Sequence, residues 1–139
     1  LGTDTVWVDD QPDDVNQVLQ YVITAQPMQV GLPNSVSNRL VVTREANLFY
    51  PTAFTPDGVG PTENETFTVR GHYISRLELK VFDRWGSMVY FNDKNEPWNG
   101  TNNGRPLPEG TYVWNARIVD FAGRTFTRGS TVVILKKKN

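Results

Sequence analysis

Residues 77–86, with the sequence LELKVFDRWG, decide the fold of this 139-residue chain. An extended strand would direct the apolar odd-numbered residues to one face, and we expect them in the core: Leu77, Leu79, Val81 and Trp85. Phe82 breaks the alternation, which indicates a bulge, an edge or a covered outer face at that point. Gly86 permits a turn into a return strand over 88–91. A hairpin with one apolar face is not stable alone in water, so the rest of the chain must supply further strands.

Composition and turn signals point to an all-β fold. Hydrophobic residues make up 38% of the chain and include four Trp, five Tyr and seven Phe, which is enough for a buried core. Eleven Gly and nine Pro mark frequent turns. A second strong strand is predicted over 111–121, followed by a hairpin turn at 120–123 and a return strand with a bulge at Gly129. Short strands at this spacing predict an immunoglobulin-like Greek-key β-sandwich.

Charge and cysteine content exclude several function classes. The net charge of −1 gives no global attraction to nucleic acid or to an acidic membrane surface. No apolar run is long enough to span a bilayer, and the absence of cysteine excludes disulfides and thiol chemistry. The chain begins with Leu1 and shows no signal peptide, so we expect it to be a piece of a longer protein.

The N-terminal part has a weaker pattern. Residues 15–25 fit both helical and strand spacing, and their content of Val, Ile, Thr and Tyr favours a strand. The segments 21–25 and 37–42 resemble the last two strands of a fibronectin type III or similar immunoglobulin-like module. This resemblance predicts that residues 1–45 are the C-terminal part of such a repeat, and that a second domain occupies 46–139.

The sequence gives little support for a catalytic or ligand-binding function. His72 is the sole histidine, and no nucleophile elbow, metal-binding pair or phosphate loop accompanies it, so we expect no enzyme and no cofactor. The oxygen-bearing side chains of Asp57 and of residues 63–65 suit calcium, but their spacing favours a plain turn. Trp85, Trp98 and Trp114 could stack on a sugar, but their positions favour the core, with Trp98 closing one end of it.

A family resemblance covers residues 50–135. It rests on the segments AFTPDGVG at 53–60, NETF at 64–67, LELKVFDRWG at 77–86, WNG at 98–100, LPEGTY at 107–112 and the strand at 129–135. In order and spacing these resemble the gliding-motility-associated C-terminal domain, the type B sorting domain of the type IX secretion system. Val59 departs from this pattern, because the family usually has Asp there.

The resemblance implies a secretion and sorting signal at the C-terminus of a large cell-surface adhesin or gliding-motility protein. It further implies recognition by the type IX translocation machinery and an outer-membrane β-barrel partner, with the domain at the cell surface. The alternative is a surface immunoglobulin-like adhesion module that binds carbohydrate or calcium.

The docking surface for such a partner should consist of residues that are not buried in the core. We predict that it combines the hairpin corner with the C-terminal strand, taken to be a free edge that can lend its backbone to a partner. The residues are Asp83, Arg84, Trp85, Gly86, Val132, Val133, Ile134, Leu135, Lys136, Lys137 and Lys138. The lysines should act on association rate and salt dependence more than on affinity.

Overall fold

The computed structural model describes residues 8–10 and 14–137, and the chain divides into two compact units, Leu1–Glu45 and Ala46–Asn139. In the first unit β1 pairs antiparallel with β4, and β2 pairs antiparallel with β3. The bounds are Val18–Tyr21 for β1, Thr24–Ala25 for β2, Ser35–Val36 for β3 and Leu40–Thr43 for β4. The prediction of a strand within residues 15–25 is therefore confirmed.

The second unit is built on a five-stranded sheet in the order β6-β13-β12-β8-β9. Neighbouring strands are antiparallel except for β6 and β13, which are parallel. The bounds are Ala53–Phe54 for β6, Ile74–Phe82 for β8, Met88–Asn92 for β9, Gly110–Asp120 for β12 and Thr125–Ile134 for β13. The pairing of β8 with β9 shifts register between Val81 and Phe82, so the predicted irregularity at Phe82 is a bulge.

A smaller second layer covers one face of this sheet. It contains β5 (Leu48–Phe49), which pairs antiparallel with β7 (Arg70–Gly71). An isolated bridge joins Phe67 to Trp98. A 3-10 turn spans Thr62–Asn64, and a small hairpin pairs β10 (Thr101–Asn102) with β11 (Arg105–Pro106). Residues 65–70 contribute only the bridge at Phe67 and the start of β7 to this layer.

The core lies between the two layers and follows the period-two pattern of the long strands. The sheet contributes Phe54, Leu77, Leu79, Val81, Val89, Tyr112, Trp114, Ala116, Ile118, Val132 and Ile134, and the second layer contributes Phe67, Val69 and Trp98. The rings of Phe67 and Trp114 lie 5.7 Å apart, and those of Trp98 and Tyr112 lie 5.6 Å apart, so aromatic contacts join the layers. The predicted all-β sandwich is confirmed, whereas Greek-key connectivity stays a prediction.

Two sequence expectations are wrong. Trp85 is 78% exposed, because β8 ends at Phe82 and strand parity has no meaning in the turn that follows. Gly129 is not a bulge, since it pairs in register with Asn115. A Cβ at Gly129 would lie 3.1 Å from the carbonyl oxygen of Trp114, so the glycine permits close approach of β12.

Candidate docking surface

The hairpin corner between β8 and β9 is organised by Asp83. Its Oδ1 accepts hydrogen bonds from the backbone N–H groups of Trp85 and Ser87, both at 2.9 Å. The N–H of Gly86 donates to the Asp83 carbonyl at 3.1 Å, and Gly86 has φ +81°, which favours glycine. Asp83 and Gly86 thus shape the corner, and they present the two side chains between them.

Those two side chains form an exposed aromatic and basic pair. The guanidinium of Arg84 lies 5.0 Å from the ring centroid of Trp85, a cation–π contact. A Cβ built on Gly110 would lie 3.5 Å from Nη2 of Arg84, so this side chain extends toward the start of β12. The pair therefore stands on rigid sheet ends, with the tryptophan ring open to solvent.

The C-terminal strand is not a free edge at its apolar end, which corrects the expectation from sequence. β13 lies between β12 and β6, and the N–H groups of Val133 and Leu135 donate to the carbonyls of Thr52 and Phe54. Val132 and Ile134 are buried in the core. The side chains of Val132 and Ile134 therefore cannot contact a partner in the folded domain, and the N–H groups of Val133 and Leu135 are already paired. Leu135, Lys136 and Lys137 remain exposed, and Lys138 lies outside the described residues.

Strand register brings the two predicted docking elements to one end of the sheet. Gly110 pairs with Ile134, and Val113 pairs with Phe82. The end of β8, the start of β12 and the end of β13 therefore meet. We call this region the sheet end and define it by Arg84, Trp85, Leu135, Lys136 and Lys137. It carries three cationic side chains and two exposed apolar ones.

An apolar stripe on the outer face of the sheet reaches this sheet end. Met88 and Val113 are exposed and each pairs with the half-buried Phe82, while Phe91 is exposed beside Lys80 in the next row. The Lys80 ammonium lies 6.0 Å from the Phe91 ring. Sequence reasoning missed this stripe as a surface, and the one signal for it was Phe82 on the face opposite the core.

The loop over 57–65, whose side chains suit calcium, uses its carboxylates to hold a turn. Asp57 Oδ1 accepts a hydrogen bond from the N–H of Val59 at 2.9 Å, and Glu65 Oε2 accepts one from the N–H of Gly58 at 2.7 Å. Among residues 8–10 and 14–137, no group of three or more His, Cys, Asp or Glu side chains could hold a metal ion. Glycine at positive φ and two carboxylate caps account for this loop.

His72 lies on the surface. Its ring contacts Phe49 edge-on at 5.6 Å between centroids, and its backbone N–H donates to the carbonyl of Asn47 at 3.0 Å. The histidine thus has a structural contact with β5.

Comparison with known proteins agrees with the sorting-domain resemblance. The family model described as CHU_C type IX secretion signal domain matches residues 48–133, more than half of the chain. No curated protein matches. Within the described part of the chain, no helix is both long enough and apolar enough to cross a membrane.

Proposed function

The chain belongs to the CHU_C type IX secretion signal domain family, and on that premise we propose how the secretion machinery recognises it. The proposed role is a non-catalytic C-terminal sorting signal of a large cell-surface adhesin or gliding-motility protein. An outer-membrane β-barrel protein that works with the type IX machinery docks on the sheet end. The protein then resides at the outer surface of the bacterial outer membrane.

The observation that carries the docking proposal is the exposed pair of Arg84 and Trp85. A tryptophan that is 78% exposed is costly to leave in water, and here a corner held by Asp83 presents it rather than a mobile loop. Trp and Arg are the residues most enriched among the energetic centres of protein interfaces. Leu135 and the neighbouring lysines extend the same surface, which suits an acidic partner loop with an apolar residue at its centre.

The N-terminal unit fits the proposed repeat context. In the β1–β4 pair, Leu19 stands opposite Val42 and Tyr21 opposite Leu40, so one face of the hairpin is apolar. Leu40 and Val42 are nevertheless exposed. A two-stranded hairpin of this kind is marginal alone, which supports the proposal that 1–45 is the end of an immunoglobulin-like repeat. Slower amide exchange in this unit after upstream strands are added would support it, and unchanged exchange would contradict it.

The absence of catalysis is also a proposal. It is supported by the surface position of His72 and by its engagement with Phe49. Hydrolysis of a peptide, ester or glycoside substrate that is lost in His72→Ala would overturn it.

The docking proposal is tested with a reporter fused ahead of the full chain in a bacterium that has type IX secretion. The variant Arg84→Glu/Trp85→Ala should lower the surface fraction of the reporter about tenfold or more, as expected when an interface centre is lost. The matched control is Arg128→Glu, because Arg128 also lies over an aromatic ring, that of Phe126 at 5.6 Å. It stands seven residues, about 23 Å, from Leu135 of the sheet end along β13.

Folding of both variants is checked by thermal unfolding. If the double variant folds and reaches the surface as the parent does, the sheet end is not the docking surface. If Arg128→Glu fails equally, the loss reflects charge on the whole domain rather than a site.

A further inference from the structure

A cleft of about 490 Å³ lies on the second layer, away from the sheet end. Its lining includes Phe49, Tyr50, Pro51, Glu63, Thr66, Thr68 and Arg70. The volume is in the range of ordinary ligand sites. Neither the sorting role nor the core packing accounts for it.

The cleft forms because the chain changes sheets beside Pro51. Phe49 pairs with Arg70 in the second layer, whereas Ala53 pairs with Val133 in the five-stranded sheet. The crossing takes place over residues 50–52. Further along, the N–H of Thr55 donates to the carbonyl of Asn64 at 2.7 Å. The segments 49–55 and 64–70 are thus joined at both ends and separate in between.

The separation leaves an unpaired strand edge. Phe67 exchanges both backbone hydrogen bonds with Trp98, at 2.8 and 2.9 Å. In an extended chain successive residues direct these groups to opposite sides, so those of Thr68 face away from Trp98, on the side where Arg70 meets Phe49. The chain bends at Thr66, where the extended run begins. No backbone hydrogen bond joins Thr66 or Thr68 to another residue within 8–10 or 14–137. Pro51, on the wall of the cleft, has no N–H to offer.

A side chain on the same segment is also left without a partner. The hydroxyl oxygen of Thr68 is buried and makes no hydrogen bond with the described residues. Thr68 lines both this cleft and a neighbouring one of about 410 Å³. A buried hydroxyl without a partner is costly, and it becomes available to a ligand when the Thr68 side chain turns toward the cleft.

Two exposed charged side chains, Glu63 and Arg70, line the cleft, so a ligand carboxylate fits only beside Arg70. Arg70 is exposed, lines both clefts and makes no ion pair with any residue that the structure describes. Phe49 and Tyr50 offer apolar contact on the facing wall, with 57% and 40% of their surfaces exposed. A ligand with backbone donors and acceptors, an apolar side chain and one carboxylate would match the edge, the wall and the arginine.

We propose that this cleft binds an extended peptide segment of a partner protein. The peptide pairs its backbone with Thr68, places an apolar side chain against Phe49 and Tyr50, and sets an Asp or Glu carboxylate on Arg70. Strand addition of this kind draws affinity from the main chain and specificity from the side chains. The cleft is then a second recognition site, distinct from the sheet end.

The test uses the full isotope-labelled chain and two pairs of capped five-residue peptides. Asp-Thr-Val-Ser-Val and Val-Ser-Val-Thr-Asp carry the carboxylate at either end, and each has a counterpart with Lys in place of Asp. Amide shifts at Thr66, Thr68 and Arg70 are expected on titration. At least one Asp peptide should bind about three- to tenfold more tightly than its Lys counterpart.

Two variants identify the contacts. Arg70→Gln should abolish the preference for Asp over Lys, while the matched control Arg128→Gln keeps it. Thr68→Val, which preserves shape but removes the hydroxyl, should weaken all of the peptides. A dispersed amide spectrum establishes that each variant is folded.

Shifts confined to β9 or to residues 125–131 of β13 would show pairing at another edge and overturn the proposal. Equal affinity for the Asp and Lys peptides would do the same. Cleft shifts with a trimer of galacturonic acid but with none of the peptides would assign the cleft to a saccharide instead.

Discussion

Asp120 accepts two hydrogen bonds from Arg124, one from its backbone N–H and one from its Nε, both at 2.8 Å. The carboxylate lies at the end of β12 with 1% of its side chain exposed, and Arg124 closes the hairpin that leads into β13. This contact fixes the register of β12 and β13, the two longest strands in the sheet. Trp114 and Ile118 lie on β12, and Val132 lies on β13.

Asp120→Ala should destabilise the second unit by about 3 kcal/mol, because it removes a buried group that satisfies several donors. Urea unfolding followed by tryptophan fluorescence measures the loss. The matched control is Asp93→Ala, since Asp93 forms an exposed ion pair with Arg76 at 3.8 Å and should cost less than about 1 kcal/mol. Equal losses in the two variants would show that burial of Asp120 contributes nothing.

Replacing a buried tryptophan should lower the free energy of unfolding more than replacing an exposed one. Trp98 is fully buried, and its Nε1 donates to the carbonyl of Thr101 at 2.9 Å. Trp98→Ala should therefore cost about 3–5 kcal/mol. Trp85→Ala should cost less than about 1 kcal/mol, as expected at a surface position. Thermal unfolding of both variants checks the contrast, and a large loss in Trp85→Ala would mean that its ring packs in solution.

The core was predictable because strand parity depends only on local geometry. Leu77, Leu79 and Val81 are buried as their spacing predicts, and Trp114 with Ile118 follows the same rule on β12. The rule failed at Trp85, where the strand has already ended. Parity cannot state where a strand stops, and the local signs of the end of β8 were the irregularity at Phe82 and the turn residue Gly86.

Edges and clefts were not predictable because they depend on distant pairing. Val133 looked available to a partner, yet Ala53 occupies its free side from about eighty residues away in the chain. Pro51 lies where the chain changes sheets, and that change likewise depends on pairing with distant strands. The sequence correctly predicts a hairpin corner at Arg84. That this corner and Leu135 lie at the same end of the sheet follows only from the register of three strands.

Alkaline pH should weaken the second unit through Tyr112. Its hydroxyl donates to the carbonyl of Pro108 at 2.8 Å, and burial raises the pKa of this phenol above its ordinary value of 10.0, with Arg84 partly opposing the shift. The unfolded chain ionises first, so the stabilisation is complete below pH 10 and is lost as pH rises through the raised pKa of the folded state. Tyr112→Phe should show a shallower fall in unfolding free energy above pH 10. An identical fall in parent and variant would assign it to other groups.

The basic side chains of the sheet end should set how fast the domain meets its partner. Lys136 and Lys137 are exposed at the rim, where charges attract at long range but are screened by salt in the final complex. Lys136→Ser/Lys137→Ser should slow association with outer-membrane vesicles from a bacterium with type IX secretion by about threefold or more at 50 mM salt. The effect should shrink at 500 mM salt, where the Debye length is only a few ångströms, and dissociation should change little.

Lys94→Ser provides the control for that measurement, because Lys94 is an exposed lysine next to the end of β9 rather than at the sheet end. It should leave association within experimental error of the parent. A double-variant loss that persists undiminished at 500 mM salt would mean that Lys136 or Lys137 contacts the partner directly. In that case the lysines belong to the centre of the interface together with Trp85, and the rim lies further along the apolar stripe of Phe82, Met88, Phe91 and Val113.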